Sequence, residues 1–204
     1  MSNPLLLRRR AIIGANSAEP VLPYDARIEY LESTGTQYID TGIFGNQDTE
    51  VEIEWMVSAA NGRYLYGCAS VGDTSSLYAY ISTISPFKFG NIPITLSGIT
   101  TGVWHHTIHN SEGLDYDGTT YAGIYQSTFV TPYTILLFSG HTNSGDIGFK
   151  TIGKIKTFIV RENGVDLLNM IPVRVGQVGY MYDFISGQLY ANAGTGDFIL
   201  GPDI

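Results

Sequence analysis

The sequence predicts an all-β protein, a sandwich of antiparallel sheets, on three observations. Apolar residues recur with period two or in short buried runs, and no window of ten or more residues repeats at 3.6. Parallel crossovers would need such helices, so the sheets should be antiparallel. Glycine is abundant, 24 in 204 residues, well above the usual ~7%, which supplies many turns. The chain is 12% aromatic but only 15% charged, against an average charged fraction of about 25%. Together these favour short strands joined by Gly-rich corners.

The elements follow in order from residue 24. The clearest strand is 49–57, with Val51, Ile53, Trp55 and Val57 on one face and Glu50, Glu52 and Glu54 on the other. Other predicted strands cover 27–31, 37–43, 64–68, 77–81, 87–89, 92–96, 103–109, 121–126, 134–138, 150–161, 179–183, 188–192 and 198–200. Between them, Asn61-Gly62, Asp117-Gly118 and Asn163-Gly164 supply positions that tolerate positive φ. Ser186-Gly187 signals a hairpin, with Asp183 placed to accept the turn's amide hydrogens. The lone Cys68, flanked by strand residues, reads as a small buried hydrophobe and rules out a disulfide framework.

Charge divides the chain. Residues 1–18 hold Arg8, Arg9 and Arg10 and no acid (+3); the rest holds 8 bases against 19 acids (−11). An acidic body argues against nucleic-acid binding, since phosphates are met by Lys and Arg. No apolar run approaches the ~18–20 residues of a membrane span. The sequence is therefore divided into an N-terminal arm and hinge, 1–23, and a β-sandwich domain, 24–204.

In the arm the apolar triplet Leu5, Leu6, Leu7 precedes the arginines, which is the reverse of a secretory signal, so no export signal is read. On a helical wheel the arginines fall between the leucines and Ile12 and Ile13, so no membrane-binding face segregates. Two readings remain: a disordered leader, or an arm that anchors to a partner. In the second, Leu5, Leu6, Leu7, Ile12 and Ile13 are buried while Arg8, Arg9 and Arg10 meet acidic groups. Pro20 and Pro23 would then stiffen the entry into the body.

The body offers residues for three kinds of chemistry. Glu50 and Glu54 are the best catalytic pair, but i and i+4 on a strand are ~13 Å apart by Cα. A retaining glycosidase wants its carboxyls ~5–5.5 Å apart, so the solvent face of an amphipathic strand is the simpler reading. His105 and His109 share a strand face without further ligands at matching spacing, and read as ordinary histidines rather than a zinc site. Asp73, Asp115, Asp117 and Asp146 are loop acids suited to calcium, and more simply to turns; no cofactor is expected. Tyr78, Tyr80 and Trp104 are candidates for a glycan platform, in a chain whose 14 tyrosines suit a subunit interface equally well.

Two stretches are specific. One is Ile28-Glu29-Tyr30-Leu31-Glu32-Ser33-Thr34-Gly35-Thr36-Gln37-Tyr38-Ile39-Asp40-Thr41-Gly42. The other runs from Ile155-Lys156-Thr157-Phe158 through Asn169-Met170-Ile171-Pro172-Val173-Arg174 and Val178-Gly179-Tyr180-Met181-Tyr182-Asp183. It continues with Ser186-Gly187-Gln188-Leu189-Tyr190 and ends in Asn192-Ala193-Gly194-Thr195-Gly196-Asp197-Phe198. Together they resemble the concanavalin-A-like (laminin-G-like) jelly-roll domains common in gut bacteria and their phages, and the Leu-Leu-Leu-Arg-Arg-Arg leader resembles those of phage structural proteins. The resemblance implies a two-sheet jelly roll whose first and last strands pair. It covers the two ends of the body, whereas 58–150 is generic.

The function expected from this is non-enzymatic. The chain is read as a virion protein (capsid decoration, head-fibre or tail-associated), anchored by its arm to other virion proteins and displaying the jelly roll, with glycan binding as an added role. It would be assembled in the host cytoplasm and exposed outside, as a homo-oligomer, with a trimer favoured by analogy to phage fibres. The alternatives are a carbohydrate-binding surface or secreted module and, behind it, a glycoside hydrolase using Glu50 and Glu54. Fold alone does not decide among them.

Overall fold

A computed structural model describes residues 22–125 and 127–204, apart from the side chain of Ser85; the anchoring residues Leu5–Leu7, Arg8–Arg10, Ile12 and Ile13 lie outside the described residues. In chain order the strands are β1 (Ala26–Arg27), β2 (Leu31–Thr34), β3 (Ile39–Asn46), β4 (Thr49–Val57), β5 (Arg63–Cys68), β6 (Ser76–Ile81), β7 (Ile84–Gly90), β8 (Ile92–Ser97), β9 (His105–Asn110) and β10 (Gly113–Tyr116). They continue with β11 (Thr119–Ala122), β12 (Val130–Leu137), β13 (Gly140–His141), β14 (Ile147–Gly148), β15 (Ile152–Glu162), β16 (Val165–Val175), β17 (Val178–Asp183), β18 (Leu189–Tyr190) and β19 (Ile199–Leu200). The described residues contain no α-helix, only a 3₁₀ turn at Val71–Asp73.

The strands form two sheets, antiparallel except at a parallel bridge between β13 and β5 and another between Tyr64 and Lys150. The larger runs β11-β10-β9-β4-β15-β16-β17-β18, with β1 beside β16 and β2 between β15 and β19; the smaller runs β14-β13-β5-β6-β7-β8, with β12 joining β3 to β5. They pack as a jelly-roll-like sandwich. Strand β4 is the pattern's clearest success: all its odd-numbered residues from Thr49 to Val57 are buried and the intervening residues are partly exposed. Val51, Ile53 and Trp55 share one core cluster with Tyr66, Leu77, Phe87 and Phe89 of the smaller sheet. Each such side chain contributes about 1.5–3 kcal/mol relative to exposure.

Turn chemistry sets the register. Asp117-Gly118 (φ 50° and 79°) joins β10 to β11, and Asn163-Gly164 (φ 51° and 75°) joins β15 to β16, the mirror-image two-residue loops that match strand twist. The Asp183 carboxylate accepts hydrogen bonds from the backbone N–H groups of Asn169 (2.7 Å), Ile185 (3.2 Å) and Ser186 (2.8 Å) and from the Ser186 hydroxyl (2.6 Å). Burial alone would raise this carboxyl, but those donors outweigh it and hold it below the usual range.

The two specific stretches prove to be each other's partners. The Gln37 side chain is almost fully buried; its oxygen accepts from the Thr34 N–H at 2.8 Å and its amide donates to the Asp197 carbonyl at 2.8 Å. Asn192 accepts from the Tyr38 N–H and donates to the Gly196 carbonyl, while the Thr36 hydroxyl donates to the Thr195 carbonyl. A Cβ on Gly194 would sit 2.1 Å from the Thr36 carbonyl oxygen, so only glycine fits there. Strand β19 pairs with β2, the Ile204 N–H reaches the Arg27 carbonyl, and Arg174 grips Asp203 in a two-pronged ion pair at 2.7 and 2.6 Å. The last strand thus pairs with β2 and not with β1, which lies beside β16, and the two ends of the body close on one another.

The sequence pattern errs at β16, an eleven-residue strand it does not separate. Pro172 obscures it, because proline is rare inside sheets. Its carbonyl accepts the Ile28 N–H just past Met170, the last residue paired with β15, so the missing donor falls where β1 takes over as neighbour. The predicted strand 27–31 is also split, into β1 and β2.

Candidate functional site

The outward face of β4 carries the acidic row. Arg161 of β15 lies between its members: Nη1 is 2.7 Å from both Glu50 Oε1 and Glu52 Oε2, and Nε is 2.8 Å from Asp166 Oδ1. His106 Nε2 lies 3.0 Å from Glu52 Oε1, and the Asn110 amide donates to Glu50 at 3.0 Å. Glu54 belongs to a separate group, 3.4 Å from Lys156 Nζ, which is also 3.6 Å from Glu29. Burial tends to raise the Glu52 carboxyl, but the bonds from His106 and Arg161 outweigh it and hold Glu52 below the usual range. A glycosidase acid needs the opposite, a carboxyl kept protonated. This arrangement does one thing well: it tiles a sheet face with alternating charge.

The histidines and loop acids are placed by packing. His105 is buried against Trp55, its Nδ1 2.7 Å from Asp117 and 2.8 Å from the Tyr116 hydroxyl, its Nε2 2.7 Å from the Thr100 carbonyl. His109 is fully buried beside Phe87 and Phe89. Asp115 and Asp117 accept from the backbone N–H of Gly118 and His106, Asp146 accepts from the Ser144 hydroxyl, and Asp73 pairs with Lys88 at 3.0 Å. Among the described residues no three His, Cys, Asp or Glu side chains converge on a point that could hold a metal.

The three aromatic residues expected to form a platform are not brought together. Trp104 lies on the outer face of the larger sheet, 6.2 Å from Tyr30 by ring centroid, with Lys156 Nζ 4.2 Å above its ring and Lys154 Nζ 4.1 Å above that of Tyr30. Each of those cations covers one face of its ring. Tyr78 and Tyr80 lie instead on the outer face of the smaller sheet, opposite the buried Leu77, Ala79 and Ile81. They flank Tyr64, at 5.4 and 4.9 Å, and Phe149 lies 6.2 Å from both Tyr64 and Tyr80.

Tyr64 and Phe149 are the members that sequence reasoning missed. Period two would put Tyr64 and Tyr66 on one face. A bulge between them in the β5–β6 ladder turns Tyr64 outward, opposite Tyr80, and Tyr66 inward, opposite Ala79. Burial pushes the Tyr64 hydroxyl up to about 12, with Tyr80 and Asp73 adding to it, and raises Tyr78 for the same reasons, Asp73 first among its charged neighbours. Compared with protein-family models and with curated proteins, the chain has no match.

Proposed function

We propose that the chain is a non-enzymatic structural protein of a phage virion, a capsid-decoration, head-fibre or tail-associated component. Residues 5–13 anchor it to another virion protein, and the jelly-roll body is displayed outward as an interaction module, with a homo-oligomer, a trimer by analogy, as the displayed unit. The observation that carries this reading is where the motif residues go. Ser33 to Tyr38 and Asn192 to Asp197 hold the body's two ends together rather than line a reactive cleft, which is what a self-contained display scaffold needs. The charge split between residues 1–18 (+3) and residues 19–204 (−11) supports an arm that engages a different surface from the one the body presents. Burial of about five aliphatic side chains in the arm, each worth about 1.5–3 kcal/mol, gives such an anchor ample strength.

The test is composition. Particles purified from a host carrying the genome that encodes this chain should contain it at a fixed copy number, and antibodies raised against residues 24–204 should decorate intact particles. Recovery of the chain only from the cell lysate contradicts the proposal.

A second reading, a carbohydrate-binding module, is favoured by one observation: the tyrosine cluster on the smaller sheet reaches solvent beside an exposed Phe149, which is 49% accessible. The two readings are compatible, since a displayed module needs something to meet.

A further inference from the structure

We propose that Phe149, Tyr80 and Tyr64, with the paired Asp73 and Lys88, form a binding site for a neutral hexopyranoside on the outer face of the smaller sheet. The inference rests on the carbohydrate-binding reading and deepens it by naming the residues and the ligand class. Four observations carry it.

Phe149 is a large ring left half in water, and its backbone is held at φ 52°. A left-handed conformation is costly for a bulky side chain, and such strain collects at functional sites. The fold therefore keeps an apolar ring exposed at a cost, where a small polar residue or glycine would relieve both problems.

The surroundings are shaped for rings. Tyr64 meets Tyr78, Tyr80 and Phe149 edge to face, at interplanar angles of 83°, 69° and 65°. Gly140 lies beneath it: a Cβ there would come within 2.6 Å of the Tyr64 ring. The rings are thus seated against sheet backbone, which fixes them before any ligand arrives and lowers the ordering cost of binding.

The polar complement is present. The Tyr64, Tyr78 and Tyr80 hydroxyls make no hydrogen bond to another described residue, so each is free to donate and accept. Lys88, the strand partner of Tyr78, holds the Asp73 carboxylate at 3.0 Å, which brings an ion pair to the strand beside the ring cluster. A pyranose matches this pairing of an apolar ring with flanking donors and acceptors, since it has an apolar C–H face and a rim of hydroxyls.

Charge selects the class. Asp73 and Lys88 cancel each other, and residues 24–204 hold 8 bases against 18 acids (−10), so an acidic sugar is repelled at long range while a neutral one is not. The Trp104–Tyr30 pair on the larger sheet differs in that each ring has a lysine over one face.

The experiment uses the full chain on an immobilised panel of neutral oligosaccharides terminating in galactose, glucose, mannose or N-acetylglucosamine, with sialylated and sulfated glycans alongside, then titration of the best binder. The expected result is selective binding of a neutral glycan, weakened about tenfold by Phe149→Gly and by Tyr80→Ala, with Trp104→Ala unchanged. Phe149→Gly suits the left-handed backbone, so it should melt no lower than the parent while losing affinity, which separates binding from folding. Neutral-glycan binding that survives Phe149→Gly and Tyr80→Ala overturns the site but leaves the carbohydrate-binding reading standing. Binding only to acidic glycans overturns the ligand class. A blank panel overturns both.

Discussion

The Tyr66 hydroxyl and His109 Nδ1 lie 2.9 Å apart at the centre of the sandwich, both fully buried, and His109 Nε2 has no partner among the described residues. Desolvation pushes the imidazole down to about 3 from its usual 6.5. Unfolded, the same side chain takes up a proton near pH 6.5. Stability from this group is therefore complete above pH 6.5 and is lost as the pH falls towards 3, by up to about 1.4 kcal/mol per pH unit. Chemical denaturation at stepped pH should show that slope. A Tyr66→Phe, His109→Leu variant, which removes both polar partners, should lack it; an unchanged slope would show that the loss lies elsewhere.

Asp183 adds a second acid-sensitive element, in a lower window. Its carboxyl is held below the usual range, so its contribution is present above the ordinary carboxylate pKa of about 4 and is lost as the pH falls through the lowered folded value. Asp183→Ala leaves the Asn169 and Ser186 amides without an acceptor and should cost about 2–3 kcal/mol at neutral pH. A melting temperature within a degree of the parent would contradict the role given to this turn.

Gln37 ties residue 34 to residue 197. Gln37→Leu keeps the volume but strands the Thr34 N–H and the Asp197 carbonyl, and should destabilise by about 2–4 kcal/mol. Hydrogen exchange should locate the loss at both ends of the body together, in β2, the 192–198 segment and β19. Loosening confined to one end would mean that the two motifs are not coupled.

Arg161 bridges Glu50, Glu52 and Asp166. Arg161→Met leaves three carboxylates facing one another, and because all are partly exposed the cost should be modest, about 1 kcal/mol, and reduced by salt. Glu50→Gln and Glu52→Gln in the same background should restore part of it. If Glu54→Gln or Glu50→Gln abolished a measurable glycoside hydrolysis, the structural reading of this row would fail.

Much of the fold was legible because β structure declares itself through period two. Strand β4 shows it residue by residue, and Asp183, Asn163-Gly164 and Asp117-Gly118 behave as their turn chemistry dictates. Irregularities defeated the pattern. Pro172 hid β16, and the bulge between Tyr64 and Tyr66 inverted one side chain, so the Tyr64 cluster could not be assembled from spacing alone. Nothing local to Trp104 announces that Lys156, 52 residues on, lies over its ring. The hydrogen bonds of Gln37 and Asn192 give the residues of the two end stretches a physical reason that spacing alone did not reveal.

If residues 1–18 anchor the chain to the particle, their removal is felt at assembly. The chain lacking residues 1–18 should be supplied in place of the full chain during particle assembly, and its copy number in purified particles counted by quantitative mass spectrometry. Loss of incorporation, with the truncated chain melting cooperatively like the full one, is the predicted result. Incorporation of the truncated chain at the full-length copy number would contradict the account.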